Sequence, residues 1–146
     1  KLTPMLGLNL EITMRFTYDD DTYSDLHKDA RGFRPRNDGW DKLTPIGKQL
    51  KWDSLCEELD QNLAEECAAE ARAVSQFESK VTDLIDAGAA HRGIAIRWLI
   101  ESLGLSNDEL TFYRGEIICI RMGLPLNMQA VFDPVCEDIV NRERNN

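Results

Sequence analysis

The sequence predicts a mainly α-helical fold, with one long central helix carrying a coiled-coil-like seam, a C-terminal cluster of short helices, and one N-terminal β-strand. Three patterns predict it. Residues 6–18 alternate strictly between apolar and polar side chains, residues 44–87 follow a helical apolar period, and residues 89–142 form short apolar segments separated by glycine and proline. The 146 residues have the length of one domain, so we expect an N-terminal extension at residues 1–22 and a single helical domain at 23–146.

The strand prediction rests on a period of two residues. A single strand cannot satisfy its own backbone hydrogen bonds, so it needs a partner. The other β-rich run, residues 116–122, also fits a helix. The strand is therefore expected either to pair across a dimer or to be an extension foreign to the domain. Its apolar face would consist of Leu6, Leu8, Leu10, Ile12, Met14, Phe16 and Tyr18.

Residues 23–43 are predicted to form a short helix and a basic loop. Ser24 can cap the helix and Gly32 can end it. Between Asp25 and Lys51 the chain has seven basic and four acidic residues, a net charge of +3. This is the net-positive part of an acidic chain, so it is a candidate binding segment.

Three arginines of this loop flank an aromatic ring. Guanidinium groups beside an aromatic ring can bind phosphates or a stacked base, and they can equally bind a carboxylate-rich protein surface. The alternative is that intramolecular ion pairs to the acidic helix hold the loop in place. The candidate binding residues of the loop are Arg31, Phe33, Arg34 and Arg36.

Residues 44–87 are predicted to form the long acidic helix. Thr44 is a good cap residue, Pro45 favours the first turn, and Gly88 stops the helix. So long a helix is not stable alone, because its seam must be buried against the C-terminal part or a second copy. We expect a homodimer along it. The seam comprises two interleaved series of sevens, with Cys56, Leu63, Phe77 and Leu84 in one and Cys67, Val74 and Val81 in the other.

The same helix carries a strongly acidic stretch. Between Trp52 and Glu70 there are seven acidic residues and no basic ones. They fit a solvated helix face, or a surface that binds something cationic. The acidic candidate residues are Asp53, Glu57, Glu58, Asp60, Glu65, Glu66 and Glu70.

Short helices are predicted for residues 89–142. The first of them is apolar enough to lie in the core. Ser106 and Glu109 form a capping box for the next, which Gly123 ends. The last helix is predicted to be interrupted or restarted at Pro134, with Asp133 as its cap.

Composition narrows the classes of function. The net charge of −9 argues against a protein that coats nucleic acid or is held to an anionic membrane. No apolar run approaches the roughly 18 residues of a membrane span. Four cysteines without a C-x-x-C pair indicate reduced thiols in a cytoplasm. Two histidines, no glycine-rich phosphate loop and no metal-ligand spacing predict no catalytic set, no cofactor and no metal.

Five short motifs occur in a recognisable order. They are Ser-Asp-Leu-His-Lys-Asp at 24–29, Gly-Phe-Arg-Pro at 32–35, Gly-Ala at 88–89, Ala-Ile-Arg-Trp-Leu at 95–99 and Gly-Leu-Pro at 123–125. Together they resemble a group of small, uncharacterised proteins encoded by tailed bacteriophages. The resemblance covers about residues 18–125 and brings no activity with it. It implies a phage accessory protein in the bacterial cytoplasm.

These observations lead to three hypotheses of function. The first is a non-enzymatic protein that binds a host protein and inhibits a host defence or regulatory system, with acidic mimicry of nucleic acid as one form. The second is a nucleic-acid-associated regulator that uses the basic loop, although direct nucleic-acid binding is disfavoured by the net charge. The third is a small hydrolase.

Overall fold

The computed structural model describes residues 15–146. This part of the chain is mainly helical, as the sequence predicts. Its α-helices are α1 Tyr23–Arg31, α2 Pro45–Asp86, α3 Arg92–Ser102, α4 Asn107–Phe112, α5 Gly115–Met122 and α6 Gln129–Arg144, and short 3₁₀ turns lie at Trp40–Lys42 and Leu126–Met128. No helix of residues 15–146 is long and apolar enough to cross a membrane.

The predicted N-terminal strand finds no support in the described residues. Residues 15–18, its last four, are not part of a strand, and residues 6–14 lie outside the described part. The alternative left open for residues 116–122 is resolved, because α5 Gly115–Met122 makes this run helical. Within residues 15–146 there is accordingly no strand with which an N-terminal strand could pair.

The chain divides into two compact units, Lys1–Glu65 and Glu66–Asn146, which we call the N-terminal and C-terminal units. The boundary falls inside α2. Residues 23–146 were expected to be one helical domain, so this division is a feature that the sequence pattern did not indicate. Each unit has a separate cluster of buried side chains.

The N-terminal unit is built around two stacked aromatic rings. The ring centroids of Tyr23 and Trp40 lie 3.7 Å apart, and the angle between the ring planes is 6°. Leu55 of α2 is fully buried in the same cluster. Helix α1 begins with Thr22 as its N-cap and not with Ser24, and it ends at Gly32 in the left-handed conformation, as predicted. Glycine suits that last position because it has no Cβ to clash there.

Helix α2 agrees with its predicted bounds to within one residue. The Thr44 hydroxyl accepts a hydrogen bond from the Gly47 N–H at 3.1 Å, so Thr44 caps the helix. The seam is buried only in part. Phe77 and Val81 lie in the core of the C-terminal unit, whereas Leu63 is 50% exposed and Cys67 is exposed. The seam residues near the C-terminal end of α2 are thus covered within one chain, and the homodimer stays a prediction.

The core of the C-terminal unit lies around α6. The rings of Phe77 and Phe132 meet edge to face at 5.4 Å, and α6 packs against α3, α4 and α5. The predicted capping box is confirmed, but the single helix predicted from it to Gly123 is two helices, α4 and α5. The Glu109 N–H donates to the Ser106 hydroxyl at 3.2 Å, and the Glu109 carboxylate accepts from the Ser106 N–H at 2.8 Å.

Helix α6 corrects one prediction. It runs unbroken through Pro134, and Asp133 does not cap it. The carbonyl of Ala130, which loses its usual donor at a proline four residues later, belongs to an exposed residue that water can reach. The Asp133 carboxylate instead accepts a hydrogen bond at 2.8 Å from the N–H of Gly115, the first residue of α5.

Candidate functional site

One exposed face of α2 carries both apolar and acidic side chains. Its residues recur at alternating spacings of four and three, which places them in one line along a helix. We call this line the acidic-apolar stripe. All of it lies in the N-terminal unit, and all of its residues are exposed. The stripe consists of Ile46, Leu50, Asp53, Glu57, Asp60 and Ala64.

Burial of the other side of α2 fixes the direction in which the stripe faces. Leu55 is fully buried, and Trp52 and Leu59 pack partly buried against the same cluster. At 100° per residue, these three side chains lie opposite the stripe. The core of the N-terminal unit therefore holds the stripe toward solvent.

The carboxylates of the stripe are not neutralised by cations of the described residues. Asp53 accepts one hydrogen bond, at 2.8 Å from the Gln49 side-chain amide. Within residues 15–146, Glu57 and Asp60 take part in no ion pair. Burial raises the pKa of the Cys56 thiol, and the negative charges of Asp53 and Asp60 raise it further. Among the described residues, the negative charge of the stripe is therefore not compensated by an ion pair.

Glu58, another predicted acidic candidate, behaves differently. Arg31 holds both of its carboxylate oxygens, at 2.9 and 3.0 Å. The hydrogen bonds from Arg31 lower the pKa of Glu58, against a smaller opposing effect of burial. This bidentate pair joins the basic loop to the acidic helix, so neither charge is free for a partner.

The other residues of the predicted basic loop are divided between structural and exposed positions. Arg34 binds the Asp25 carboxylate at 2.6 Å and the Ser24 hydroxyl at 3.0 Å. Phe33 is 62% exposed, and its carbonyl lies 2.7 Å from Nδ1 of the buried His27. Arg36 is exposed and forms no ion pair within the described part of the chain. Within residues 15–146, two of the three arginines thus form intramolecular ion pairs, but of these Arg31 pairs with the acidic helix, as the alternative predicted, whereas Arg34 pairs with Asp25 of α1.

The remaining acidic candidates lie off the stripe. Glu65 is exposed, about 100° around α2 from the stripe. Glu66 and Glu70 are also exposed, but they belong to the C-terminal unit. The structure therefore brings three of the seven acidic candidates onto one face within one unit: Asp53, Glu57 and Asp60.

A second polar cluster, which the sequence patterns did not single out, surrounds Trp40. Asp20 accepts from the Trp40 indole N–H at 2.8 Å and from the Lys48 ammonium at 2.7 Å. Asp38 accepts from the Tyr23 hydroxyl and from the Lys51 ammonium. An open cavity of about 470 Å³ lies beside this cluster. Because both carboxylates already have lysine partners, the cluster holds the loop together and offers little free charge.

Helical spacing is the feature of the sequence that could have indicated this cluster. Tyr23, His27 and Ala30 recur at intervals of four and three, and all three are buried. The hydrogen bonds of Asp20 with Trp40 and Lys48 join residues that are distant in sequence. The sequence alone gives no signal for such contacts.

Two thiols of the C-terminal unit are buried in its core. Burial raises the pKa of Cys136 to about 11, and it raises that of Cys119 as well, which keeps both as uncharged thiols. No group of three His, Cys, Asp or Glu side chains within residues 15–146 could hold a metal ion.

Comparison with protein-family models, with curated proteins and with solved structures found no match to this chain.

Proposed function

We propose that this chain is a non-enzymatic binding protein that presents the carboxylates of the acidic-apolar stripe to a basic surface of another protein. One observation carries the proposal. Asp53, Glu57 and Asp60 lie on one exposed face without an ion pair from the described residues, while the neighbouring Glu58 is neutralised by Arg31. In the phage context that the sequence motifs suggest, the partner is a host protein whose activity is inhibited.

Charge of this kind acts mainly on the association rate. A net charge of −9 attracts a basic partner over about a Debye length, and a line of fixed carboxylates then orients it. The carboxylates recur every ~5 Å along the helix axis, against about 3.4 Å for the phosphates of one DNA strand. Because the two spacings differ, the charge of the stripe supports binding to a basic surface in general, and nucleic-acid mimicry stays the more specific alternative.

The arginine loop supports direct nucleic-acid binding less well. Arg31 and Arg34 already hold carboxylates, which leaves Arg36 as the arginine of the predicted loop without an ion pair in residues 15–146. One exposed guanidinium supplies little of the phosphate neutralisation on which non-specific binding depends.

The test compares three forms of the protein as bait in a bacterial lysate. They are the wild type, the stripe variant D53N/E57Q/D60N, and a control variant D83N/E116Q/E137Q that removes three exposed charges from the C-terminal unit. A protein retained by the wild type and the control but lost by the stripe variant is the expected partner. Its purified form should bind about tenfold more weakly to the stripe variant, mostly through a slower association rate.

The same proteins retained at the same level by all three baits would contradict the proposal. Raising the salt concentration provides a second check on the purified pair. Affinity should fall with salt for the wild type and change much less for the stripe variant.

A further inference from the structure

We propose that the acidic-apolar stripe receives an amphipathic α-helix of the partner, with apolar side chains on Ile46 and Leu50 and with basic side chains on Asp53, Glu57 and Asp60. This inference rests on the proposed function, since it names the kind of surface that the carboxylates recognise. The proposed function requires only positive charge on the partner. The inference adds that the partner segment is helical and has an apolar half.

The apolar half of the stripe is unusually exposed for its residue types. Leu50 is 67% exposed and Ile46 is 52% exposed, one helical turn apart on the same face. Leu43, just before the helix, is 36% exposed. Single exposed leucines are ordinary in proteins, but adjacent ones beside a charged patch are typical of interaction sites.

Hydrogen bonds hold the start of α2 in place and so fix the stripe before binding. The Gln49 side chain accepts from the Thr17 backbone N–H at 2.7 Å and donates to the Thr17 hydroxyl at 2.8 Å. Its amide also donates to Asp53, which orients that carboxylate. The Lys48 ammonium is tied to Asp20 at 2.7 Å. A partner would therefore meet a face that is already ordered, which lowers the entropic cost of binding.

The spacing of the charges favours a helix over an extended segment. From Asp53 the next two carboxylates lie ~6 Å and ~10.5 Å along the α2 axis. Basic residues at the same sequence spacings on a partner helix would lie at the same distances along its axis. Residues on one side of an extended strand recur every ~6.7 Å, so the third would be displaced by ~3 Å. A helical partner can thus place one cation at each carboxylate.

The charges also decide which helix can occupy the stripe. A second copy of the stripe has no cation, so it would offer Asp53, Glu57 and Asp60 no partner of opposite charge. A purely apolar helix would bury these carboxylates without partners, which is costly. A helix with apolar residues in one half and arginine or lysine in the other satisfies both halves of the stripe.

The experiment uses the full chain and synthetic peptides of about 18 residues. Two peptides carry leucines four residues apart and arginines at the spacings of the three carboxylates, in the two possible orders along the peptide. A third peptide has the same composition with these residues scattered around the helix. Binding is measured by fluorescence anisotropy, and helix formation by circular dichroism.

We expect one of the two in-register peptides to bind at least tenfold more tightly than the scattered peptide. The variant I46Q/L50Q should lose about tenfold in affinity for that peptide and nothing for the scattered one. L63Q is the matched control, because Leu63 is 50% exposed about 100° around the same helix from the stripe, and it should bind like the wild type. Gain of helical signal on binding should accompany the tight peptide only.

Equal affinity for the in-register and scattered peptides, or full affinity of I46Q/L50Q, would overturn the helical inference. In that case, loss of binding of the in-register and scattered peptides by the stripe variant D53N/E57Q/D60N would leave the proposed function standing without the helical inference. Unchanged binding of every peptide by the stripe variant would overturn the proposed function itself.

Discussion

The Asp38 carboxylate joins three parts of the N-terminal unit. It accepts from the Tyr23 hydroxyl in α1, from the Lys51 ammonium in α2 at 3.0 Å, and from the Trp40 backbone N–H at 3.2 Å. Burial raises the pKa of Asp38, but these hydrogen bonds outweigh that effect and lower it to about 2. The charged form of Asp38 therefore stabilises the folded unit.

Replacing Asp38 with Ala should lower the free energy of unfolding by about 2 kcal/mol at pH 7, because hydrogen bonds to a charged group are lost. Since the folded pKa lies below the ordinary value of 3.8, the contribution is complete above pH 4 and disappears as the pH falls toward 2. Urea unfolding followed by tryptophan fluorescence at several pH values measures this. The difference between wild type and D38A should narrow between pH 4 and pH 2, whereas a constant difference would contradict the account. D41A, in the same loop, is the control and should change stability by less than about 0.5 kcal/mol.

At the scale of single elements, the local signals at the ends of α2 were reliable, those at Ser24 and Pro134 were not, and contacts between distant residues gave no signal. The ends of α2 were predictable because Thr44, Pro45 and Gly88 act through neighbouring backbone groups. The effect of Pro134 is not visible in the sequence, because it depends on whether the freed carbonyl can reach water. Of the seven acidic candidates, helical spacing could group Asp53, Glu57 and Asp60, but the neutralisation of Glu58 by a residue 27 positions away could not be seen.

The contact between α5 and α6 gives a prediction at this scale. A Cβ on Gly115 would collide with the Gln129 carbonyl and lie 2.7 Å from the Asp133 carboxylate. Replacing Gly115 with Ala should therefore destabilise the protein by about 1–3 kcal/mol through overpacking, as measured by urea unfolding with circular dichroism. Gly93→Ala is the matched control, since its nearest neighbours are atoms of the exposed His91 side chain. It should be neutral or stabilising by up to about 1 kcal/mol, and equal losses in both variants would show that the close packing at Gly115 is unimportant.

For the whole molecule, the two units differ greatly in the size of their cores. Among residues 15–146, the buried apolar cluster of the N-terminal unit has four residues, and that of the C-terminal unit has fourteen. Because stability follows the apolar surface removed from water, the N-terminal unit should open at a lower free energy. This matters for function, since the proposed binding stripe depends on the smaller core to keep its direction.

Native-state hydrogen exchange in increasing urea tests this difference. Amides of α1 should lose protection at lower urea than amides of α6, because the buried residues of α1 belong to the smaller of the two clusters in residues 15–146. Leu55→Ala should lower the free energy of opening of α1 by about 2–5 kcal/mol and leave that of α6 unchanged. Phe132→Ala should lower the free energy of opening of α6 by about 3–5 kcal/mol. In each of the three proteins, α1 and α6 could instead lose protection at the same urea concentration as each other. This result would mean that the chain unfolds as one cooperative unit. In that case the small core would not limit the stripe, and Phe132→Ala would weaken partner binding as much as Leu55→Ala does.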